Sequence, residues 1–242
     1  MFPVDNSASN ITSRDTSYSG GNFISGNLYP NLWKFFYDSL HLRSVLDVGA
    51  GLGESTFHFR QLGMAPVFAI DAKLSNVAQA KEAVQFHDLS KGPFLIGRVV
   101  DLAWDSEVLE HIDEAYLPHL IVTLMQAKVV VANAAQTKFG HHHVTVRSWP
   151  KFWEPLFKRA GFVVEKNLTQ NILHNPEWAR EHNRKHLWML DPQACQQYGA
   201  KKTDLCGHSP GRVLVNTHLS TCSDALSCQQ AFINGATMVK GW

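Results

Sequence analysis

Apolar positions recur at spacings of three and four through "LYPNLWKFFYDSL", which predicts a helix from about Tyr29 to Leu40. Beyond it, short apolar runs alternate with helical stretches. "SVLDVG" predicts a strand, "ESTFHFRQLG" a helix closed by Gly63, "PVFAIDA" a strand and "NVAQAKEAV" a helix. "VQFHDL", "VVDLAW" and "KVVVANAA" predict three further strands, with "SEVLEHIDEAYLPHLIVTLMQ" helical between the last two. In "SWPKFWEPLFKRAG", Ser148 is placed to cap a helix, Pro150 sits in its first turn and Gly161 ends it. "FVVEKNLT" and "HLWMLD" predict a final, antiparallel pair of strands. Repeated strand-helix-strand units imply an α/β, Rossmann-like fold: a seven-stranded, mostly parallel sheet with helices on both faces.

The flanks read differently. Residues 1–26 are rich in Ser, Asn and Gly and predict a flexible arm, residues 27–191 form the main domain, and 192–242 make an extension of weak periodicity and no assigned structure. With 242 residues, 45% hydrophobic and 18% charged, the chain can bury one substantial core. A net charge of +1 with no long like-charge run removes the electrostatic footprint of a general nucleic-acid binder. No apolar run is long and uninterrupted enough for a membrane span, and no basic-then-apolar leader opens the chain, so a cytoplasmic protein is expected. Cys195, Cys206, Cys222 and Cys228 are spaced for neither a paired zinc site nor a disulfide scaffold, and free thiols are expected.

In a doubly wound sheet, ligands bind beyond the carboxyl ends of the strands, which puts Gly49, Gly51 and Gly53 of "SVLDVGAGLGEST" where a ligand would sit. A dinucleotide fingerprint asks for a third glycine where this chain has Glu54, and Glu54 with Asp47 would repel a pyrophosphate. S-adenosylmethionine carries a sulfonium, an ammonium and one carboxylate, and suits an acidic cradle. Asp71 falls about twenty residues past the glycine loop, where a strand-end carboxylate can accept ribose hydroxyl protons. Around the fourth strand and after the fifth, "SEVLEHI" and "FGHHHVTVRSW" bring Glu107, Glu110 and His111, and then His141 to His143, to the same edge. Placed on one helix, Glu107 shares a face with Glu110 and His111. Two carboxylates and two imidazoles there suit a divalent cation, Mg²⁺, Mn²⁺ or Zn²⁺; the same residues equally serve as hydrogen-bonding links between loops.

These stretches resemble the class I S-adenosylmethionine-dependent methyltransferases over roughly residues 28–190: "VLDVGAGLG" is similar to their first motif, "FAIDA" to the second strand with its ribose-binding acid, and "DLAWDSEVLEHI" to the fourth strand and the helix after it. The resemblance implies that Asp47 orients the loop and faces the methionine ammonium, that Asp88 lies near the adenine amino group, and that the backbone of Trp104 and Asp105 lines the methyl-transfer position. The E-x-x-E-H run looks like that of the ubiquinone-pathway O-methyltransferases and small-RNA 2′-O-methyltransferases, which implies Glu107, Glu110, His111 and His143 as metal ligands. With the metal, an acceptor hydroxyl on the cation would lose its proton more easily; without it, His111 or His143 is the candidate general base. A hydroxyl of a small molecule or glycan is the implied acceptor; the missing basic surface argues against RNA. A nicotinamide-dependent oxidoreductase and a non-catalytic S-adenosylmethionine-binding module are the competing readings. Trp149, Phe152 and Trp153 are candidates for an acceptor wall or for core.

Overall fold

The computed structural model describes residues 28–80, 82–135, 143–175, 212–217 and 219. Seven strands form one sheet in the order β3-β2-β1-β4-β5-β7-β6. They are β1 (Val45–Val48), β2 (Val67–Asp71), β3 (Gln85–Phe86), β4 (Val100–Asp105), β5 (Ala127–Ala132), β6 (Phe162–Val164) and β7 (Arg212–Asn216). The first five run parallel, and β7 lies antiparallel between β5 and β6. This is the mostly parallel sheet with an antiparallel end that the strand-helix alternation predicts.

The helices are α1 (Pro30–Asp38), α2 (Glu54–Gln61), α3 (Leu74–Gln79), α4 (Leu117–Leu124), α5 (Glu154–Arg159) and α6 (Lys166–His174). On one face of the sheet, α1 buries Leu32, Trp33 and Phe36 against Phe59 of α2 and Trp104 of β4. Trp104 meets the rings of Tyr29, Trp33, Phe36 and Phe59 at centroid distances of 5.6 to 6.4 Å. Each fully buried aromatic contributes on the order of 1.5–3 kcal/mol, so this cluster seals one face. On the other face Leu120, Ile121 and Leu124 of α4 and Leu156 and Phe157 of α5 cover Leu46, Val48, Ala103 and Val130. β1 is buried along its whole length, as a central parallel strand must be.

Five sequence expectations change. β3 shrinks to two exposed residues, and α3 to six, ending where Ala80 turns extended at ψ 134°. "KNLT" is helical in α6, where Glu165 caps by accepting the Asn167 N–H at 3.3 Å and Thr169 and Ile172 supply the buried side. The partner of β6 is Arg212–Asn216, from the stretch read as an extension, and "HLWMLD" lies outside the described residues. The Asn216 amide holds β7 in place by donating to the carbonyls of Met125 (3.0 Å) and Ala127 (3.3 Å). The helix expected from Ser148 opens with a π-helical turn, Trp149–Trp153, and the Ser148 side chain makes no cap. Lastly, "SEVLEH" is not α-helical: two 3₁₀ turns, Leu109–His111 and Glu114–Tyr116, precede α4, and Glu107 has φ +64°. That left-handed residue stops a helix before it can begin.

The arm of residues 1–26 and all four cysteines lie outside the described residues. No helix among the described residues is long and apolar enough to cross a membrane.

Candidate active site

The chain leaves β1 for β2 on one side and returns to β4 on the other, so the crevice where the strand order reverses opens between β1 and β4. All three loop glycines there have positive φ, 57° to 79°. Their reasons differ. A Cβ on Gly49 would stand 2.3 Å from Cγ2 of Val108, and one on Gly53 3.2 Å from Glu82 and Val84, so these two serve close packing. A Cβ on Gly51 would meet nothing within 4 Å. Gly51 therefore presents bare backbone to open space, the position a ligand can approach.

Asp71 fastens that loop to the end of β2. Its Oδ2 accepts the Gly51 N–H at 2.9 Å, and its Oδ1 accepts from the Lys73 N–H at 2.7 Å and the Asn76 amide at 3.3 Å. Burial nevertheless raises its carboxyl above the ordinary value. Asp47, buried in β1, accepts both the Ser55 hydroxyl (2.6 Å) and the Thr56 hydroxyl (2.7 Å) on Oδ2, tying the start of α2 to the sheet. Burial pushes it up to about 6 against these hydrogen bonds, with a smaller push from Asp71. Glu54 lies in the first turn of α2.

At the end of β4, Asp105 pairs in register with Val48, the residue before Gly49. It is 1% exposed, and neither carboxylate oxygen has a hydrogen-bond partner among the described residues. Burial first, then Asp47, then Glu107 hold its carboxyl well above the usual range. Glu107 is gripped by Asn133 at the end of β5: Asn133 Oδ1 accepts the Glu107 N–H at 2.8 Å and Asn133 Nδ2 donates to Glu107 Oε1 at 3.2 Å.

Glu110 and His111 come next, on the 3₁₀ turn. The Glu110 carbonyl accepts the N–H groups of Val144 (2.9 Å) and Thr145 (3.0 Å), which draws the segment after β5 onto this turn and brings His143 to it. Ligand atoms of Glu110, His111 and His143 lie within 4.8 Å of one another, and the two imidazole centroids are 5.1 Å apart. Glu110 is fully buried, and neither carboxylate oxygen reaches a hydrogen-bond partner among the described residues. Burial first, then the neighbouring Glu107, with a smaller push from Asp105, hold its carboxyl well above the usual range. One buried carboxylate and two imidazoles within reach of a common point are a donor set that fits a divalent cation.

The crevice thus gathers Asp47, Gly51, Asp71, Asp105, Glu107, Glu110, His111 and His143. The expected helical face for Glu107 does not exist, and Glu107 stands outside the donor cluster of the other three. Asp88 spends Oδ1 on the Ser90 N–H at 2.8 Å, capping a short 3₁₀ turn, and Trp104 turns its indole into the aromatic core. Trp149 and Trp153 are core, with Phe152 packed against them. His141 and His142 lie outside the described residues. Sequence reading missed Asn133 and Val108. An asparagine directly after the apolar run "KVVVA" was the available sign for the first; nothing local marks the second.

The sheet order, the glycine loop after β1 and the acidic strand ends define a doubly wound α/β protein whose strand order reverses between β1 and β4, the place where such sheets bind ligands. No family model and no curated protein matches the chain. Among solved structures it is similar to an S-adenosylmethionine-dependent methyltransferase from Archaeoglobus fulgidus, at 19% identity and TM-score 0.41, over 55% of this chain and 69% of that one. It is also similar to TehB from Haemophilus influenzae, at 13% and 0.46 over 56% and 51%. A third likeness is to an S-adenosylmethionine-dependent methyltransferase from Clostridium acetobutylicum ATCC 824, at 16% and 0.37 over 44% and 49%. The chain spans about half the length of the latter two.

Proposed function

We propose that this chain is an S-adenosylmethionine-dependent methyltransferase acting on a hydroxyl of a small molecule or glycan, with a divalent cation at Glu110, His111 and His143. One observation carries the reading. Three buried carboxylates, Asp71, Asp47 and Asp105, line the glycine loop from β2 to β4, which favours a positively charged ligand and repels a diphosphate. A nicotinamide dinucleotide would bring its pyrophosphate to that loop.

In this reading Asp71 keeps about one acceptor site for a ribose hydroxyl while holding Gly51, Lys73 and Asn76, since a carboxylate offers about four. The bare face of Gly51 lets the ligand lie against backbone. When bound, S-adenosylmethionine supplies an electrophilic methyl on a sulfonium. A cation on the Glu110–His111–His143 set would supply Lewis acidity to an acceptor hydroxyl. Where no cation occupies that set, an imidazole of His111 or His143 takes the hydroxyl proton as the oxygen forms its bond to the methyl carbon and the carbon–sulfur bond breaks, leaving a methyl ether, adenosylhomocysteine and a protonated histidine. Holding donor and acceptor in line accounts for on the order of 7–11 kcal/mol of barrier lowering where the geometry is near attack.

The test is protection from thermal unfolding by S-adenosylhomocysteine and by NADH, and then methyl transfer to a panel of hydroxyl acceptors. Protection by the first alone is expected. Protection by NADH alone would replace the methyltransferase with an oxidoreductase.

A further inference from the structure

We infer that Glu107 is the specificity-determining residue of the acceptor site: its carboxylate takes a hydrogen bond from a hydroxyl or ammonium group of the acceptor and turns phosphorylated and acidic acceptors away. This rests on the methyltransferase reading. Glu107 is the carboxylate of the E-x-x-E-H run that the fold leaves outside the donor set of Glu110, His111 and His143. It is nevertheless held in a fixed place. Asn133, buried at the end of β5, accepts the Glu107 N–H at 2.8 Å and donates to Glu107 Oε1 at 3.2 Å, while its own N–H donates to the Asp105 carbonyl at 3.3 Å.

The carboxylate so held is half-buried, whereas Asp105 before it and Glu110 after it are buried. Asp105 ends the strand beside the glycine loop, and Glu110 belongs to the donor set. Both buried carboxyls feel the charge of Glu107, which therefore stands between the cofactor crevice and that set. An acceptor whose hydroxyl reaches from one to the other passes along it. The surroundings call for a ligand: both Glu110 oxygens and the Ser106 hydroxyl next to Glu107 are buried without a hydrogen-bond partner among the described residues.

An ionised carboxylate accepts hydrogen bonds and donates none, so the group that the acceptor turns toward Glu107 must be a donor. A hydroxyl donates without charge; an ammonium donates with it, and such a bond is roughly twice as strong. A phosphate or carboxylate at that place would meet Glu107 with Asp105 and Glu110 on either side, and like charges repel strongly in a partly dry cleft.

The experiment measures binding of glucosamine, glucose and glucose 6-phosphate by saturation-transfer NMR to the full chain with adenosylhomocysteine and Mn²⁺ present. The wild type should bind glucosamine best and glucose 6-phosphate at least about tenfold more weakly. Glu107→Gln, which keeps the shape and loses the charge, should bring the phosphate within about threefold of the other two, with adenosylhomocysteine and Mn²⁺ affinities within about threefold of wild type. Glu107→Gly, which suits the left-handed backbone, serves in the same comparison if the glutamine variant does not fold. Unchanged preferences in the variant, tightest binding of glucose 6-phosphate, or no binding of any of the three by the wild type overturns the inference. So does loss of Mn²⁺ binding in Glu107→Gln, which would make Glu107 a cation ligand. Failure of the wild type to bind adenosylhomocysteine overturns the methyltransferase reading instead.

Discussion

Asn133 and Glu107 hold each other by two hydrogen bonds, one through the Glu107 backbone N–H and one through its carboxylate, while Glu107 sits at φ +64°. A non-glycine residue there costs roughly 1–2 kcal/mol, and the buried amide is what keeps it. Asn133→Ala should destabilise the protein by about 1–3 kcal/mol in urea unfolding, since it leaves the Glu107 N–H without its acceptor. Adding Glu107→Gly, which relaxes the strain, should recover about 1 kcal/mol of that. An Asn133→Ala variant as stable as wild type would show the clamp to be idle.

The loop glycines separate by function. Gly49→Ala drives a methyl into Val108 at 2.3 Å and should cost more than about 2 kcal/mol, with Gly49→Ala/Val108→Ala recovering part of it. Gly51→Ala has open space and carries only the strain of its positive φ, about 1 kcal/mol, yet should weaken adenosylhomocysteine binding at least tenfold. Paired denaturation and calorimetry read both; equal ligand affinity in Gly51→Ala would remove that glycine from the binding surface.

Asp47 sets a pH dependence of definite sign. Its carboxyl is held at about 6 in the fold against 3.8 when free, so the folded state binds the proton more tightly. Its contribution is intact below pH 4 and is lost as pH rises through 6, by about 3 kcal/mol at roughly 1.4 kcal/mol per pH unit between the two values. Asp47→Asn keeps an acceptor for Ser55 and Thr56 without the charge. Relative to wild type it should gain stability between pH 4 and 6.5, measured as unfolding midpoints of the ligand-free protein; a constant difference over that range would refute the buried-charge account.

Glu110 gives a test of opposite signs. Glu110→Gln should stabilise the metal-free protein, because it removes a buried charge without a hydrogen-bond partner, and should abolish the stabilisation by Mn²⁺. For the wild type that stabilisation is about 2.7 kcal/mol at a hundred times the dissociation constant. His143→Ala should lose the Mn²⁺ effect too. A Mn²⁺ response unchanged in both variants would place the ion elsewhere.

From the sequence alone, Asp71→Ala should weaken cofactor binding and leave the fold intact. The carboxylate also closes the glycine loop through Gly51 and caps the turn at Lys73, so the alanine variant should lose about 1–3 kcal/mol of stability as well. Asp71→Asn, which retains one acceptor oxygen, is the cleaner probe: a loss of ligand affinity well beyond its loss of stability is expected in a thermal and calorimetric comparison.

Local pattern alone fixed the order of strands and helices through β5, because an apolar run of four to six residues between turn formers states a buried strand wherever it lies. It fixed the glycine loop and the acidic strand ends for the same reason: Gly51 and Asp71 are set by spacing along one βαβ unit. What it could not fix depends on residues distant in the chain. The helix expected across Glu107, Glu110 and His111 is broken because the amide of Asn133, 26 residues on, stabilises a left-handed Glu107. β7 comes from the tail because Asn216, 91 residues beyond Met125, reaches the carbonyls that seat it. His143 joins Glu110 and His111 through a carbonyl shared with Val144 and Thr145. Burial belongs to the same class: that Asp47 is satisfied while Asp105 is left without a partner among the described residues depends on which side chains the assembled sheet brings alongside, and short-range patterning has no access to that.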